Sequence, residues 1–213
     1  MTASTSFHSG DGNHVGPVHI YLIRHGETAW SLTGQHTGRT DIALSEHGET
    51  EARELASPLA HIQFSRVLVS PLLRARQTCE LAGLQRGSEI ESDLAEWDYG
   101  DYEGRLSADI WKERQGWNVW RDGCPGGERP RDVSIRANRV VTRLSTMQGN
   151  IALFSHGQFG AALAARWIGL PVIKGQHFVL HPASLSILGY ASTHPDLPII
   201  TLWNGTAATK KCT

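Results

Sequence analysis

Arginine and histidine side chains recur just after short apolar segments at three places in the chain. Arg24 and His25 follow the first segment, Arg74 comes soon after the second, and His156 follows the third. Glycine stands directly after both histidines, and it lets the backbone turn sharply and approach a ligand closely. Guanidinium and imidazole groups beside free backbone N–H groups suit an anion, so these residues predict a cationic site for a phosphate.

Taken alone, each of these residues has an ordinary structural explanation. A single histidine at a strand end is more often structural than catalytic, and a single arginine usually forms a surface ion pair. Four such residues that follow three successive apolar segments are much harder to explain separately. The pattern therefore favours one shared site.

Apolar periodicity indicates the elements that must position these side chains. Continuous apolar or β-branched runs predict strands at 19–23, 65–70, 150–155, 184–190 and 199–203. Amphipathic spacing predicts helices at 46–61, 71–84, 132–148 and 158–168, with Pro71 in the first turn of its helix. Alternating strands and helices predict an α/β fold: a three-layer, mixed but mostly parallel sheet flanked by helices. Ligands of such sheets bind at the carboxyl ends of the strands, where the candidate residues lie.

Composition restricts the class of protein. The 213 residues, 40% hydrophobic and 19% charged, suit one ordinary domain with a real core. A formal net charge of −1 argues against a dedicated nucleic-acid binder. No apolar run approaches the length of a membrane span, and the N-terminus lacks the features of a signal peptide. Three cysteines without paired spacing predict neither a disulfide framework nor a zinc site, and favour the cytoplasm.

Three segments depart from the regular pattern. Residues 1–16, which include two histidines, and residues 206–213 are expected to be flexible tails around a single domain at 17–205. Residues 96–130 hold four Trp, six Gly and two Pro, and are expected to form an insertion over one edge of the sheet. Long insertions of this kind are often active-site lids.

Three motifs carry a resemblance to a known family. RHGETAW begins at Arg24, SPLLRARQT begins at Ser70, and SHG begins at Ser155. In this order and spacing they resemble the histidine phosphatase superfamily, in its phosphoglycerate mutase-like branch, over residues 18 to about 205. The stretch LTGQHTGRTDIALSEHGETEA resembles the phosphate loop and first helix of the same family. The resemblance implies a phosphoglycerate mutase-like fold, in agreement with the periodicity.

The resemblance also implies roles for individual residues. His25 matches the nucleophile that forms a phosphohistidine, and neighbouring arginines are expected to lower its pKa. Arg24, Arg74 and His156 match the groups that bind the phosphoryl oxygens, so neither a metal nor a cofactor is expected. Glu96 matches the proton donor. On sequence alone three nearby carboxylates rival it: Asp98, Asp101 and Glu103.

Further contacts to phosphate or substrate are implied by position in the matched segments. Ser31 stands where many family members have Asn, and its hydroxyl can still donate one hydrogen bond. The expected contacts are Ser31, Gln35, His36, Thr37, Gly38, Tyr99 and Gly157, with Arg39 close by. The expected partner is a small phosphate ester, not a nucleic acid or a membrane, and the sequence leaves homo-oligomer formation open.

The resemblance implies a metal-independent phosphatase of small phosphomonoesters. The segments EWDYGDYEG and GWNVWRDGCPGGE more closely resemble sugar-phosphate phosphatases, including the sedoheptulose bisphosphatase-like group. No basic residue follows the late His-Gly, which argues against a second phosphate contact. Two alternatives stay open: a phosphoglycerate mutase, which would require a bisphosphate primer, and a phospho-ligand binding module without turnover.

Overall fold

The computed structural model describes residues 18–206, which form a mixed sheet flanked by helices. The sheet confirms the predicted α/β class. Its strands are β1 (His19–Arg24), β2 (Phe64–Val69), β3 (Glu89–Ile90), β4 (Asn150–Ser155), β5 (Leu185–Ala191) and β6 (His194–Gly205). The helices are α1 (Ala29–Thr33), α2 (Glu46–Glu54), α3 (Ala56–Leu59), α4 (Leu73–Leu81), α5 (Ser107–Glu113), α6 (Val119–Asp122), α7 (Pro130–Ser145) and α8 (Gly157–Trp167).

The strand order is β3-β2-β4-β1-β5-β6. β4 pairs in parallel with both β1 and β2, and β3 joins β2 in parallel. β5 and β6 complete the sheet as antiparallel strands. Since β2, β4 and β1 are adjacent and point the same way, their carboxyl ends lie side by side at one edge of the sheet.

Two clusters of buried side chains cover opposite faces of the sheet. One contains Ile20, Leu22 and Leu153 of the strands together with residues of α7 and α8. The other contains Ile23 and Phe154 together with residues of α3 and α4. Alternate strand residues thus point to opposite faces, as the two-residue period of a strand requires.

The helix predicted at 46–61 is divided into α2 and α3. α2 ends at Glu54, four residues before Pro58. Proline has no backbone N–H to donate to the carbonyl four residues earlier, so the helix cannot continue through this point without a break. The prediction of one continuous helix here is wrong because it relied on apolar spacing and neglected Pro58.

The helix predicted at 71–84 is shorter at both ends. It begins at Leu73, so Pro71 lies before the helix and not in its first turn. The Leu72 N–H donates to Ser70 Oγ and the Leu73 N–H donates to Asp41 Oδ1. At the other end Gly83 adopts φ +79°, a left-handed conformation that ends a helix.

Most other predicted elements have bounds within one to three residues of the prediction. β4 has the predicted bounds, and α7 begins two residues earlier than predicted because Pro130 occupies its first turn. β6 is longer than the predicted 199–203 and contains Pro195 and Pro198. Prolines are tolerated there because β6 lies at the edge of the sheet.

The insertion at 96–130 contributes to the main core. It contains α5 and α6, and Trp97 within it is fully buried. Trp97, Trp117 and Trp120 belong to the same buried cluster as Ile20 of β1. Three of its four tryptophans are therefore built into the core over one face of the sheet, whereas Trp111 is exposed.

Residues 18–206 contain two of the three cysteines. Cys79 and Cys124 are buried free thiols, and burial raises the pKa of both to about 12. No helix in this range is long and apolar enough to cross a membrane. Cys212, the predicted N-terminal tail at 1–16 and residues 207–213 of the C-terminal tail lie outside the described residues.

Two glycines allow the loop after β1 to contact α2. A Cβ on Gly26 would lie 2.3 Å from the Gly48 carbonyl oxygen, and a Cβ on Gly48 would lie 2.0 Å from the Glu27 carbonyl oxygen. Both distances are far below a normal contact. The Glu27 carbonyl also accepts the Ser45 N–H at 2.9 Å, so the two backbones are held together. The position of His25 therefore depends on this close approach.

We predict that Gly48→Ala destabilises the fold, although alanine normally stabilises an exposed helix by about 1 kcal/mol relative to glycine. The added methyl group collides with backbone, and overpacking of this kind costs about 1–3 kcal/mol. Urea unfolding measures the effect. Gly189→Ala is the matched control, because a Cβ there meets no heavy atom closer than 3.4 Å. A Gly48→Ala protein as stable as the unmodified one would contradict the packing argument.

Candidate active site

Parallel strands bring the predicted cationic residues together. β1 and β4 place Arg24 opposite Ser155, and the His25 N–H donates to the Ser155 carbonyl at 3.0 Å. His156 follows Ser155 directly, and its ring centroid lies 5.2 Å from that of His25. The structure thus brings both histidines to the same edge of the sheet.

His25 is held with one ring nitrogen free. Its Nδ1 lies 2.7 Å from the Gly26 carbonyl oxygen, which can only accept a hydrogen bond. Nδ1 therefore carries the proton, and Nε2 keeps its lone pair. Burial, followed by the charges of Arg24 and Arg74, lowers the pKa of His25 well below its ordinary value. The imidazole is neutral at pH 7 and able to act as a nucleophile through Nε2.

Backbone carbonyls hold both arginines in the cluster. Arg24 Nη1 donates to the Leu180 carbonyl. Arg74 donates from Nη1 to Thr40 and from Nη2 to Thr37 and Gly38, at 2.9–3.1 Å. Neutral carbonyl oxygens thus accept hydrogen bonds from some N–H groups of each guanidinium without neutralising its positive charge. Burial lowers the pKa of Arg24 and Arg74, and the charge of Glu96 opposes the change.

Buried polar atoms without a partner are concentrated in this cluster. Within residues 18–206 there are four such side-chain atoms: Arg24 Nε, Arg74 Nε, His156 Nδ1 and Ser184 Oγ. Buried polar groups are almost always hydrogen-bonded in folded proteins. Three of the four belong to residues that the sequence predicts to bind phosphate. An anion with several acceptor oxygens would satisfy them.

His156 forms the N-cap of α8 and is fully buried. Its Nε2 lies 2.7 Å from Ser70 Oγ, the residue that follows β2. Burial is the largest cause lowering its pKa well below the ordinary value, followed by Arg74, His25 and Arg24. The sequence left open whether His156 is cationic or a neutral donor, and the lowered pKa favours the neutral form.

Glu96 is the one member of the four candidate carboxylates that lines the cavity beside His25. Its Oε1 accepts the N–H groups of Trp97 and Phe159, both at 2.8 Å, and Oε2 accepts the N–H of Gln158 at 3.0 Å. Two of these donors, the N–H groups of Gln158 and Phe159, belong to the first turn of α8.

The rival carboxylates are occupied by structural contacts. Asp98 forms an ion pair with Arg39 at 2.7 Å, and Asp101 is exposed at the surface. Glu103 accepts the N–H groups of Gly38 and Thr40 at 2.6 and 3.1 Å. Glu103 therefore fixes the loop whose carbonyls bind Arg74.

Residues 35–38 support the site but do not all line it. Thr37 lines the cavity, whereas Gln35, His36 and Gly38 do not. Gln35 donates to the Gly104 carbonyl at 2.8 Å. His36 stacks on Tyr99 with ring centroids 4.6 Å apart, and burial lowers the pKa of His36 to about 4. These three residues hold the loop against the insertion, and the expected contact of His36 with a ligand stays a prediction.

Ser31, Tyr99 and Gly157 do line the cavity. Ser31 Oγ donates to the Thr28 carbonyl and accepts the Thr28 N–H in a capping box, so its hydroxyl is used within the loop. Burial, with the charge of Glu96 second, raises the pKa of the Tyr99 hydroxyl well above its ordinary value. Tyr99 therefore stays protonated and able to donate. Arg74 and His156 are buried behind this lining.

The cavity has a volume of about 360 Å³, and most of its outer wall lies outside the motifs that mark the inner part of the site. This wall comes largely from the 3₁₀ helix Val172–His177 and the residues after it. It consists of Trp120, Gln158, Gly175, Gln176, Phe178, Val179 and Leu180. The position of Gln158 directly after the His-Gly pair could have indicated that it lines the site. Gln176 and Phe178 lie in no recognisable motif.

Comparison with known proteins finds relatives over most of the chain. Residues 20–204 match the family profile of the histidine phosphatase superfamily (branch 1). An acid phosphatase of Mycobacterium tuberculosis is 39% identical over 86% of this chain and 92% of that protein. A sedoheptulose 1,7-bisphosphatase of Saccharomyces cerevisiae is 35% identical over 72% of this chain and 68% of that protein.

The fold is also similar to solved structures. The structure of an open reading frame of Mycobacterium tuberculosis superposes with a TM-score of 0.83 at 36% identity. The superposition covers 88% of this chain and 97% of the other.

We predict that the free energy of unfolding decreases as the pH is lowered below about 6.5, and that protonation of His25 and His156 contributes to this decrease. The unfolded state takes up these protons near pH 6.5, whereas the folded state does so only at much lower pH. The stability that these two histidines contribute by staying neutral is therefore fully present above pH 6.5 and is lost as the pH falls. Each histidine contributes a slope of up to about 1.4 kcal/mol per pH unit.

Urea unfolding over a pH series in phosphate-free buffer measures this slope. His156→Asn should flatten it by the equivalent of one proton. The matched control is His61→Asn, because His61 is exposed on the surface. Equal slopes for the two variants would show that His156 is not held neutral by the fold.

Proposed function

The chain belongs to the histidine phosphatase superfamily, and from this membership we propose that it hydrolyses small phosphomonoesters, with sugar phosphates as the substrate class. Hydrolysis proceeds through a phosphohistidine on Nε2 of His25. The observation that carries the proposal is the neutral His25, with its lone pair free, inside a cluster of unsatisfied buried donors.

In the first step Nε2 of His25 attacks phosphorus, and the bond from phosphorus to the ester oxygen breaks. Arg24, Arg74 and His156 bind the phosphoryl oxygens, whose negative charge their donors match. Glu96 in its acid form gives a proton to the leaving alkoxide, so the product leaves as an alcohol. The cluster supplies the positive charge that phosphoryl transfer requires, and the mechanism uses no metal ion.

In the second step a water molecule attacks the phosphohistidine. Glu96, now a carboxylate, accepts the proton of the water, the P–N bond breaks, and inorganic phosphate leaves. Both residues return to their starting states. The geometry of Glu96 supports this double role: Oε2 accepts only one backbone N–H, so it retains a lone pair for the leaving oxygen or the water.

The lining of the cavity supports an uncharged leaving group. Beyond Arg24 and His25, the lining residues that the structure describes carry no basic side chain. Hydroxyl and amide groups of Tyr99, Gln158 and Gln176 suit sugar hydroxyls, and aromatic faces such as that of Trp120 suit the apolar face of a sugar ring. A substrate with one phosphate fits this lining better than one with two. The cytoplasmic location predicted from the cysteines stays a prediction.

We predict that His25→Ala lowers kcat for a sugar monophosphate by roughly 10⁴-fold or more, because loss of a covalent nucleophile removes the whole reaction path. Phosphate release from a panel of esters, without added metal, measures the loss. His61→Ala is the control, since His61 is exposed. Mass spectrometry of unmodified protein, quenched without acid during turnover, should detect a phosphoryl group on His25.

Three results would contradict the proposal. Full turnover by His25→Ala would exclude the nucleophile. Interconversion of phosphoglycerates, stimulated by a bisphosphate primer, would favour the mutase alternative. Binding of esters without turnover across the panel would favour a phospho-ligand binding module.

We predict that Gln176→Arg raises kcat/KM for a sugar bisphosphate relative to the monophosphate by about 5-fold to 10-fold. Gln176 lines the outer cavity and is exposed, so an arginine there adds a partly screened contact worth about 1 kcal/mol. Gln63→Arg is the control, because Gln63 is exposed and precedes β2, at the opposite edge of the sheet. If the unmodified enzyme already prefers bisphosphates, the single-phosphate substrate class is wrong while the phosphatase activity stands.

A further inference from the structure

Ser70 lies between β2 and α4, and its hydroxyl contacts His156. It is the first residue after β2, it is fully buried, and its N–H donates to the Phe154 carbonyl of the neighbouring β4 at 2.9 Å. Its hydroxyl has two hydrogen-bond partners, the Leu72 N–H at 3.3 Å and His156 Nε2 at 2.7 Å. The mechanism above gives this hydroxyl no role.

The position of each proton follows from these two contacts. The Leu72 N–H can only donate, so Ser70 Oγ accepts from it. The proton of the hydroxyl then has one available acceptor, which is His156 Nε2. The opposite arrangement, with Nε2–H donating to Ser70, would leave two buried groups without a partner, the hydroxyl proton and the Nδ1 lone pair, where the first arrangement leaves only one. Buried groups without a partner are rare, so the first arrangement is favoured.

The state of His156 follows in turn. His156 is neutral, since burial and the nearby arginines lower its pKa, so its ring carries a single proton. With Nε2 accepting from Ser70, that proton must be on Nδ1. Nδ1 is one of the buried atoms without a partner in the described structure. It is therefore an unsatisfied donor within the cationic cluster.

On the basis of the proposed function, we infer that Ser70 is a positioning residue that keeps the proton of His156 on Nδ1, where it donates to the phosphoryl group. In the other tautomer Nδ1 would present a lone pair to the anion and would repel it. Ser70 thus selects the binding form of His156 without touching the substrate.

Ser155 provides a comparison within the same part of the fold. It is as fully buried as Ser70 and is adjacent to His156 in sequence, but its hydroxyl donates to the Leu94 carbonyl at 2.8 Å. Ser155→Ala therefore removes a buried hydrogen bond without changing any contact of the His156 ring. It is the matched control for a purely structural loss.

The tautomer can be measured without any assay of activity. Two-bond ¹H–¹⁵N correlation spectra of the uniformly ¹⁵N-labelled protein distinguish Nδ1–H from Nε2–H, and His156→Asn identifies the signals of His156. We expect Nδ1–H in the unmodified protein and in Ser155→Ala, and a mixture or Nε2–H in Ser70→Ala. Nε2–H in the unmodified protein would overturn the inference, whether or not the protein is a phosphatase.

Kinetics tests the consequence of the tautomer. Loss of the partner that orients a metal-binding histidine typically costs about 10-fold to 100-fold, and we take the same scale for a histidine that binds phosphate. We expect a loss of this size in kcat for Ser70→Ala, and a weaker affinity for inorganic phosphate in the same variant. Ser70→Thr keeps the hydroxyl and should recover most of both, whereas Ser155→Ala should keep kcat within about 3-fold.

Each outcome has a defined meaning. Equal losses of kcat in Ser70→Ala and Ser155→Ala would reduce Ser70 to a structural role. Unchanged phosphate affinity in Ser70→Ala would refute the donor role of Nδ1. If Ser70→Thr does not fold, Ser70→Cys, which is closer in size and a much weaker donor, should resemble Ser70→Ala in both measurements. Absence of turnover in all proteins, with the predicted tautomers and phosphate affinities, would contradict the proposed function and leave the role of Ser70 intact.

Discussion

Buried positive charge without a matching carboxylate is the constraint on which the site depends. Arg74 is fully buried, Arg24 is half-buried in the cavity wall, and both are held mainly by carbonyl oxygens. A buried charge is costly unless it is paired, so the folded protein carries an unfavourable electrostatic free energy at this point. Burial, followed by the charges of these arginines, keeps His25 and His156 neutral. The same buried cluster therefore suits an anion and leaves the imidazole of His25 with a free lone pair.

The surrounding loops hold the charged groups in position. Glu103 accepts two N–H groups of the loop that contains Gly38, and the carbonyls of that loop accept from Arg74. The peptide groups between them orient the guanidinium while keeping the carboxylate away from it. On the other side Arg136 donates to the carbonyl of Glu96 and to two carbonyls before it. Each reactive group is thus held through the backbone, which leaves its own charge or lone pair available to a substrate.

The sequence predicted the inner part of the site because that part is built from strand ends. Once β1, β2 and β4 are placed in a parallel sheet, Arg24, His25 and His156 must converge. Helix ends were less predictable, since proline and side-chain caps decide them: Pro58 divides one helix, and the contact of Asp41 with the Leu73 N–H helps to fix the start of another. The effect of Pro58 is local and is visible in the sequence, whereas the contact of Asp41 joins residues distant in sequence, which periodicity does not report.

The outer part of the site could not be predicted for a different physical reason. It comes from the insertion and from the 3₁₀ helix Val172–His177 with the residues after it, which meet only in the folded chain. Trp120 reaches the cavity because Gly175 leaves room for its ring: a Cβ on Gly175 would lie 2.4 Å from it. No motif encodes such a contact. The chemistry therefore depends on the sheet and the specificity on packing between distant segments, so substrate choice can change while the cationic cluster and its neutral histidines are preserved.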